Sequence, residues 1–92
     1  MSFNEYMVQM VWEKGVIVPG YDSSVWRKDT CGAWICRSFY GNREASYGWE
    51  IDHIKPSACG GGDNLDNLRP LQWQNNASRQ DDGGLFCIVT AR

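Results

Sequence analysis

The stretch from Tyr47 to Gln80 reads YGWEIDHIKPSACGGGDNLDNLRPLQWQNNASRQ, and its punctuation decides the fold. Tyr47 to Ile54 alternates, with Trp49 and Ile51 on one face and Glu50 and Asp52 on the other, which predicts a strand. Pro56 and then Gly60-Gly61-Gly62 stop it. Three consecutive glycines lose too much backbone entropy for either regular element, so residues 55–66 read as a loop. Leu68 to Gln72 reads as a short extended segment, because Pro70 has no N–H and pushes Arg69 towards β. Trp73 to Gln80 is polar and helix-tolerant and ends before Gly83-Gly84. The segment therefore predicts residues 48–54 antiparallel to 67–72, with a helix over about 73–80 packed beside them.

Outward from this unit, Ala33 to Tyr40 reads as a strand closed by the turn signal Gly41-Asn42. Leu85 to Thr90 is a last β-rich run, able to pair with 33–40. Val16-Ile17-Val18 is a short β-branched run stopped by Pro19-Gly20. Asp22, Ser23 and Ser24 favour a turn or a helix N-cap. The first ten residues are frayed or form a short helix. The sum is one α+β domain over residues 1–92, without internal repeat or linker.

Composition excludes several classes. The chain has 92 residues, 42% hydrophobic and 22% charged, the balance of a globular domain rather than a disordered chain. No apolar run approaches the ~20 residues of a membrane span. Residues 1–10 lack the basic start and apolar stretch of a signal peptide, which points to a cytoplasmic setting. So small a chain buries a thin core, and five Trp, four Tyr and three Phe compensate with large buried areas. The net charge of −2 is unlike that of a nonspecific polyanion binder. In a reducing cytosol, Cys31, Cys36, Cys59 and Cys87 are expected as free, mostly buried thiols. Two disulfides and a zinc site are the less favoured readings.

His53 is the only histidine, and it follows Asp52 at the end of a predicted strand. Taken singly, Asp52 is a turn residue, Asn67 a loop residue, Asn76 part of a polar helix face and Arg79 a solvated charge. Their order says more. Glu50-Ile-Asp52-His53-Ile54, Pro56, Gly60-Gly61, Asn67-Leu68-x-x-Leu71 and Asn76-x-x-Arg79 together resemble the HNH endonuclease motif of the ββα-metal, or His-Me finger, nucleases. The resemblance covers residues 47 to 82 and implies a small ββα-metal core with additional short strands.

It also implies roles. Asp52 matches the first metal ligand and His53 the general base. Asn67 matches the residue that ties the loop and supports His53. Asn76 matches a second metal ligand on the helix, where His is frequent. Glu50 matches an acidic residue that some relatives use in the site, and Arg79 stands where Lys is usual. The implied activity is metal-dependent hydrolysis of phosphodiester bonds in DNA. A neutral imidazole can accept a proton from water, and carboxylate and amide oxygens suit one Mg²⁺, with Mn²⁺ also acceptable. Lys55, Arg69, Arg79, Arg27 and Arg37 are the candidate phosphate contacts, with Lys28 and Arg43 also upstream. Affinity should rest on the DNA backbone with little sequence specificity, so a partner domain or a dimer would have to supply specificity. An arginine, Arg27 or Arg37, is expected to pair with Glu50. His53 is expected to donate one ring N–H to a backbone carbonyl near Asn67. The alternative reading is a non-catalytic nucleic-acid or protein-binding module on the same scaffold.

Overall fold

The computed structural model describes residues 3–91. The chain is α+β, with two helices and two separate two-stranded antiparallel sheets. Helix α1 (Glu5–Trp12) starts because the Asn4 side chain accepts a hydrogen bond from the Met7 backbone N–H at 2.8 Å. Its residues Val8, Val11 and Trp12 follow the helical i, i+3, i+4 spacing and are all buried. The expectation of a frayed or helical start is thus resolved as helix, except at residues 1 and 2, which lie outside the described residues.

Strands β1 (Trp26–Lys28) and β2 (Trp34–Cys36) pair with Trp26 opposite Cys36 and Lys28 opposite Trp34. The turn between them is built on Asp29, which is buried. One carboxylate oxygen accepts from the Cys31 and Ala33 N–H groups, and the other from Gln72 N–H and Asn75 Nδ2. The predicted strand 33–40 is shorter than expected: it ends at Cys36, and Arg37–Phe39 form a 3-10 turn. Only Val16 of the early β-branched run joins a strand neighbour, through a single bridge to Lys28.

The central unit follows the predicted order. Strand β3 (Trp49–His53) pairs antiparallel with β4 (Leu68–Gln72), Trp49 opposite Gln72 and His53 opposite Leu68. Helix α2 (Trp73–Ala77) follows at once and is shorter than the predicted 73–80. The Gln72 side chain caps it, accepting from the N–H groups of Gln74 and Asn75. Its last turn is closed by Ser78, whose single hydroxyl proton is shared between the Phe86 carbonyl at 2.6 Å and the Asn75 carbonyl at 2.9 Å.

Two expectations fail here. Leu85 to Thr90 is not a strand and does not pair with 33–40. Instead the Asn75 amide holds it: Oδ1 accepts from Ile88 N–H and Val89 N–H at 2.8 Å each, and Nδ2 donates to the Val89 carbonyl at 2.8 Å. A buried side-chain amide with all four bonds made replaces a ladder. The cysteines are also not all free thiols. Cys31 and Cys87 form a disulfide with Cα atoms 5.6 Å apart, while Cys36 is a buried and Cys59 an exposed thiol. With the 85–90 segment drawn onto α2, Cys87 lies beside the 29–33 turn.

The core sits between α1 and the two sheets. Val8, Val11, Trp12, Ile35, Trp49 and Leu68 form it, with Phe3, Met7, Tyr40 and Ile51 packed around. Trp12 and Trp49 meet at 5.2 Å between ring centroids. Each such side chain contributes roughly 1.5–3 kcal/mol by leaving water, so a handful of large rings carries the domain. No helix among the described residues is long and apolar enough to cross a membrane.

Candidate functional site

The loop from Ile54 to Asn67 has to return β4 alongside β3 while holding the end of β3 in place. Asn67 does this with one side chain. Its Oδ1 accepts from Lys55 N–H at 2.8 Å, and its Nδ2 donates to the Lys55 carbonyl at 3.1 Å and to the Gly62 carbonyl at 2.8 Å. Gly61 is needed for this closeness: a Cβ there would lie 1.8 Å from the Lys55 carbonyl oxygen and 2.9 Å from Asn67 Nδ2. Asn67 thus ties the two ends of the loop together.

The clamp delivers Asp63 to His53. His53 Nε2 and Asp63 Oδ1 are 2.6 Å apart. The expected partner was a backbone carbonyl near Asn67; the observed one is a carboxylate from the same loop. That contact uses Nε2, and with a carboxylate as acceptor Nε2 carries the proton. The Phe3 ring stands at 6.1 Å, tilted by 43°, and closes one side of the imidazole.

Asp52 and His53 are both within the paired strand, so the pleat sends their side chains to opposite faces. His53 lies on the face of Trp49 and Ile51, towards α1. Glu50 and Asp52 lie on the other face, towards α2. A cleft of about 460 Å³ at the strand end is nonetheless bordered by Asp52, His53, Asn76 and Arg79, with Ile51, Pro56 to Ala58, Gln80 and Asp81 around them.

On the α2 face the carboxylates are already partnered. Asp52 is 6% exposed and lies between two arginines: Arg69 Nε donates to Oδ2 at 2.8 Å, and Arg79 Nη1 donates to Oδ1. Arg79 also donates to the carbonyls of His53, Ile54 and Gly83. Its Nε is the one buried side-chain polar atom among the described residues without a partner. Glu50 takes Arg43 in a two-point bond, Nε to Oε2 at 2.6 Å and Nη2 to Oε1 at 2.8 Å, and Asn76 Nδ2 donates to its Oε1 at 2.8 Å. The Arg43 hydrogen bond, joined by Asn76 and by the Arg43 charge, holds the Glu50 carboxyl below the usual carboxylate range against the opposing effect of burial.

The expected arginine partner of Glu50 is therefore corrected. Arg27 is buried and donates to the backbone carbonyls of Glu13, Gly15 and Ser23. Arg37 reaches α1, bonding Gln9 and Glu5 at 2.9 and 2.6 Å. Both tie the N-terminal segment to the body of the fold and do not border the cleft. Of the candidate phosphate contacts, Arg79 borders it, Lys55 is exposed on the clamped loop, and Arg69 lies behind Asp52.

The donor chemistry of Asp52 and Asn76 suits a hard divalent ion, but their arrangement does not. Both Asp52 oxygens are bonded to guanidinium groups, and the Asn76 amide turns its N–H to Glu50. No cluster of three or more His, Cys, Asp or Glu stands together among the described residues. The structure brings Asn76 to Glu50 rather than to Asp52.

Sequence reasoning missed Asp63 and Asp29, and it placed Arg43 among the upstream basic residues rather than on Glu50. Asp63 had a signal: it is the first carboxylate after the glycine run, on the loop that must return past His53. Arg43 and Asp29 act across turns whose shape the residue order does not reveal. Comparison of the chain with models of protein families, with curated proteins and with solved structures finds no match.

Proposed function

We propose that the protein is an endonuclease of the HNH type that hydrolyses phosphodiester bonds in DNA. One observation carries the reading: His53, at the end of β3, is held through Nε2 by Asp63 on a loop that Asn67 pins at three points. That is a preorganised imidazole with a defined proton-accepting nitrogen, the requirement for a general base. The hairpin of β3 and β4 followed directly by α2 agrees with the ββα order that the motif implies.

In this reading His53 Nδ1 accepts the proton of the attacking water, and Asp63 keeps the ring oriented. Lys55 and Arg79 supply positive charge to the phosphate, and an acceptor oxygen drawn into the cleft completes the unpartnered Nε–H of Arg79. Asn67 is a positioning residue that touches no substrate. A divalent ion, Mg²⁺ or Mn²⁺, enters only if Arg69 and Arg79 release Asp52 and the Asn76 amide turns from Glu50. A cytoplasmic setting is part of the proposal, and the Cys31–Cys87 disulfide counts against it, since such bonds persist mainly in oxidising compartments.

The second reading, a binding module without catalysis, is favoured by one observation: Asp52 is neutralised by two arginines. Plasmid nicking with Mg²⁺, Mn²⁺ or EDTA, with His53→Ala alongside, separates the two. Nicking that His53→Ala abolishes supports the nuclease. DNA retention without nicking under every condition supports the module.

A further inference from the structure

The β1–β2 hairpin has two unlike faces. Arg27 and Ile35 point inward and are buried, while Trp26, Lys28 and Trp34 occupy the outer face. Tyr21 joins Trp34 at 4.8 Å between centroids, Trp34 meets Trp26 at 6.0 Å with planes at 90°, and Trp26 meets Tyr47 at 5.2 Å with planes at 84°. Among the described residues these four rings line an open pocket of about 270 Å³. Tyr21 is 55% and Tyr47 38% exposed. A soluble domain rarely leaves such a contiguous aromatic surface to water without a use for it.

We propose that this pocket is a subsite for unpaired nucleobases, so that the preferred substrate carries a single-stranded segment; the assignment of the substrate rests on the nuclease reading above. Charge selects the ligand. Among the described residues no carboxylate lines the pocket, and the Lys28 ammonium stands 4.9 Å from the Trp34 ring centroid. A quaternary ammonium ligand would meet that like charge. A nucleobase presents a π-face to the rings and a phosphate to Lys28, the combination by which single strands are held without sequence preference. A sugar would find few polar side chains to bond among four aromatic ones. Tyr47 on the pocket stands two residues before β3, which ends at His53 on the cleft, at most roughly 20 Å along the chain at about 3.3 Å per residue, a span that an extended single strand can bridge.

The test is titration of intrinsic tryptophan fluorescence in EDTA with a single-stranded oligothymidylate, an abasic strand of equal length, and choline. The proposal expects saturable quenching by the oligothymidylate and much weaker binding of the abasic strand, which keeps the phosphates and lacks the rings. Trp34→Ala should weaken binding by roughly 5- to 150-fold. Tyr21→Ala, an exposed position that folding tolerates, should weaken it in the same direction. Equal binding of the thymidylate and abasic strands overturns the proposal, as does unchanged affinity in Tyr21→Ala and a folded Trp34→Ala. So do saturation by choline in place of thymidylate, and self-association that Tyr21→Ala removes with no thymidylate binding. Base-dependent binding with no nicking under any metal condition supports the subsite while overturning the nuclease reading. Nicking without base-dependent binding does the reverse.

Discussion

His53 and Glu50 sit three positions apart on one strand, and their partners set different tasks for them. Under the proposed nuclease reading Asp63 orients His53, so truncating either should lower cleavage while leaving the fold intact. His53→Ala should reduce the single-turnover rate by roughly 10²–10⁴ with little change in melting temperature. Asp63→Ala should cost up to about 10²-fold, the order expected when a reacting group is slightly misplaced. A folded His53→Ala protein that still cuts at the wild-type rate sinks the catalytic assignment. Glu50 behaves as a structural anion. Its carboxyl is held below the usual range chiefly by the Arg43 hydrogen bond, so the folded-state pKa is depressed. The stability it contributes is present above the ordinary carboxylate pKa and is lost as pH falls through the lowered folded value. Melting curves of wild type and Arg43→Met between neutral and acid pH check this. The two should differ near neutrality and converge in acid, and a constant difference across the range rejects the linkage.

Elements were legible where residue pattern alone determines them. The alternation from Trp49 to Asp52 and the glycine run marked β3 and the loop, and the antiparallel pairing of β3 with β4 followed. What the pattern did not reveal was the side-chain bonding that replaces regular structure. Gln72 is an uncommon helix cap, and Ser78 ends α2 by bonding two carbonyls, so the helix stops at Ala77 rather than near Gln80. Leu85 to Thr90 has strand composition, yet the Asn75 amide satisfies its backbone first. For the site, the motif order pointed to Asn67 and His53, but Asp63 and Arg43 act through a loop and a turn whose paths no periodicity encodes. Asn75→Ala tests this account at the scale of the element. It strands the buried backbone N–H and carbonyl of Val89, each unpaired group costing about 1–3 kcal/mol, removes the acceptor of the Ile88 N–H, and leaves Asp29 Oδ2 with Gln72 N–H alone. The variant should lose several kcal/mol of stability in urea unfolding, with α2 exchanging amide protons early. Unfolding indistinguishable from wild type means the tail is held by something other than Asn75.

Across the whole molecule, three ties converge on α2: Asp29 from the β1–β2 turn, the tail through Asn75, and the Cys31–Cys87 disulfide joining that turn to that tail. The sequence separation of the two cysteines is 56, so the bond removes a large loop-closure entropy from the unfolded chain. In a domain with so thin a core, that constraint is a sizeable share of total stability. Opening it should cost about 2–4 kcal/mol, and a small domain should show this as a large drop in melting temperature. The loss should also reach the candidate site, because Asn76 and Arg79 ride on and just after α2. Melting of Cys59→Ser with and without a reductant provides the measurement, that substitution removing the exposed thiol that could exchange with the bond. Alkylation of the unreduced native chain supplies an independent reading. Cys59 should react, buried Cys36 only on unfolding, and Cys31 and Cys87 only after reduction. Ready alkylation of three or four thiols in the unreduced, unfolded protein, together with a melting temperature insensitive to reductant, would show that the disulfide does not form and that Asn75 and Asp29 hold the tail alone.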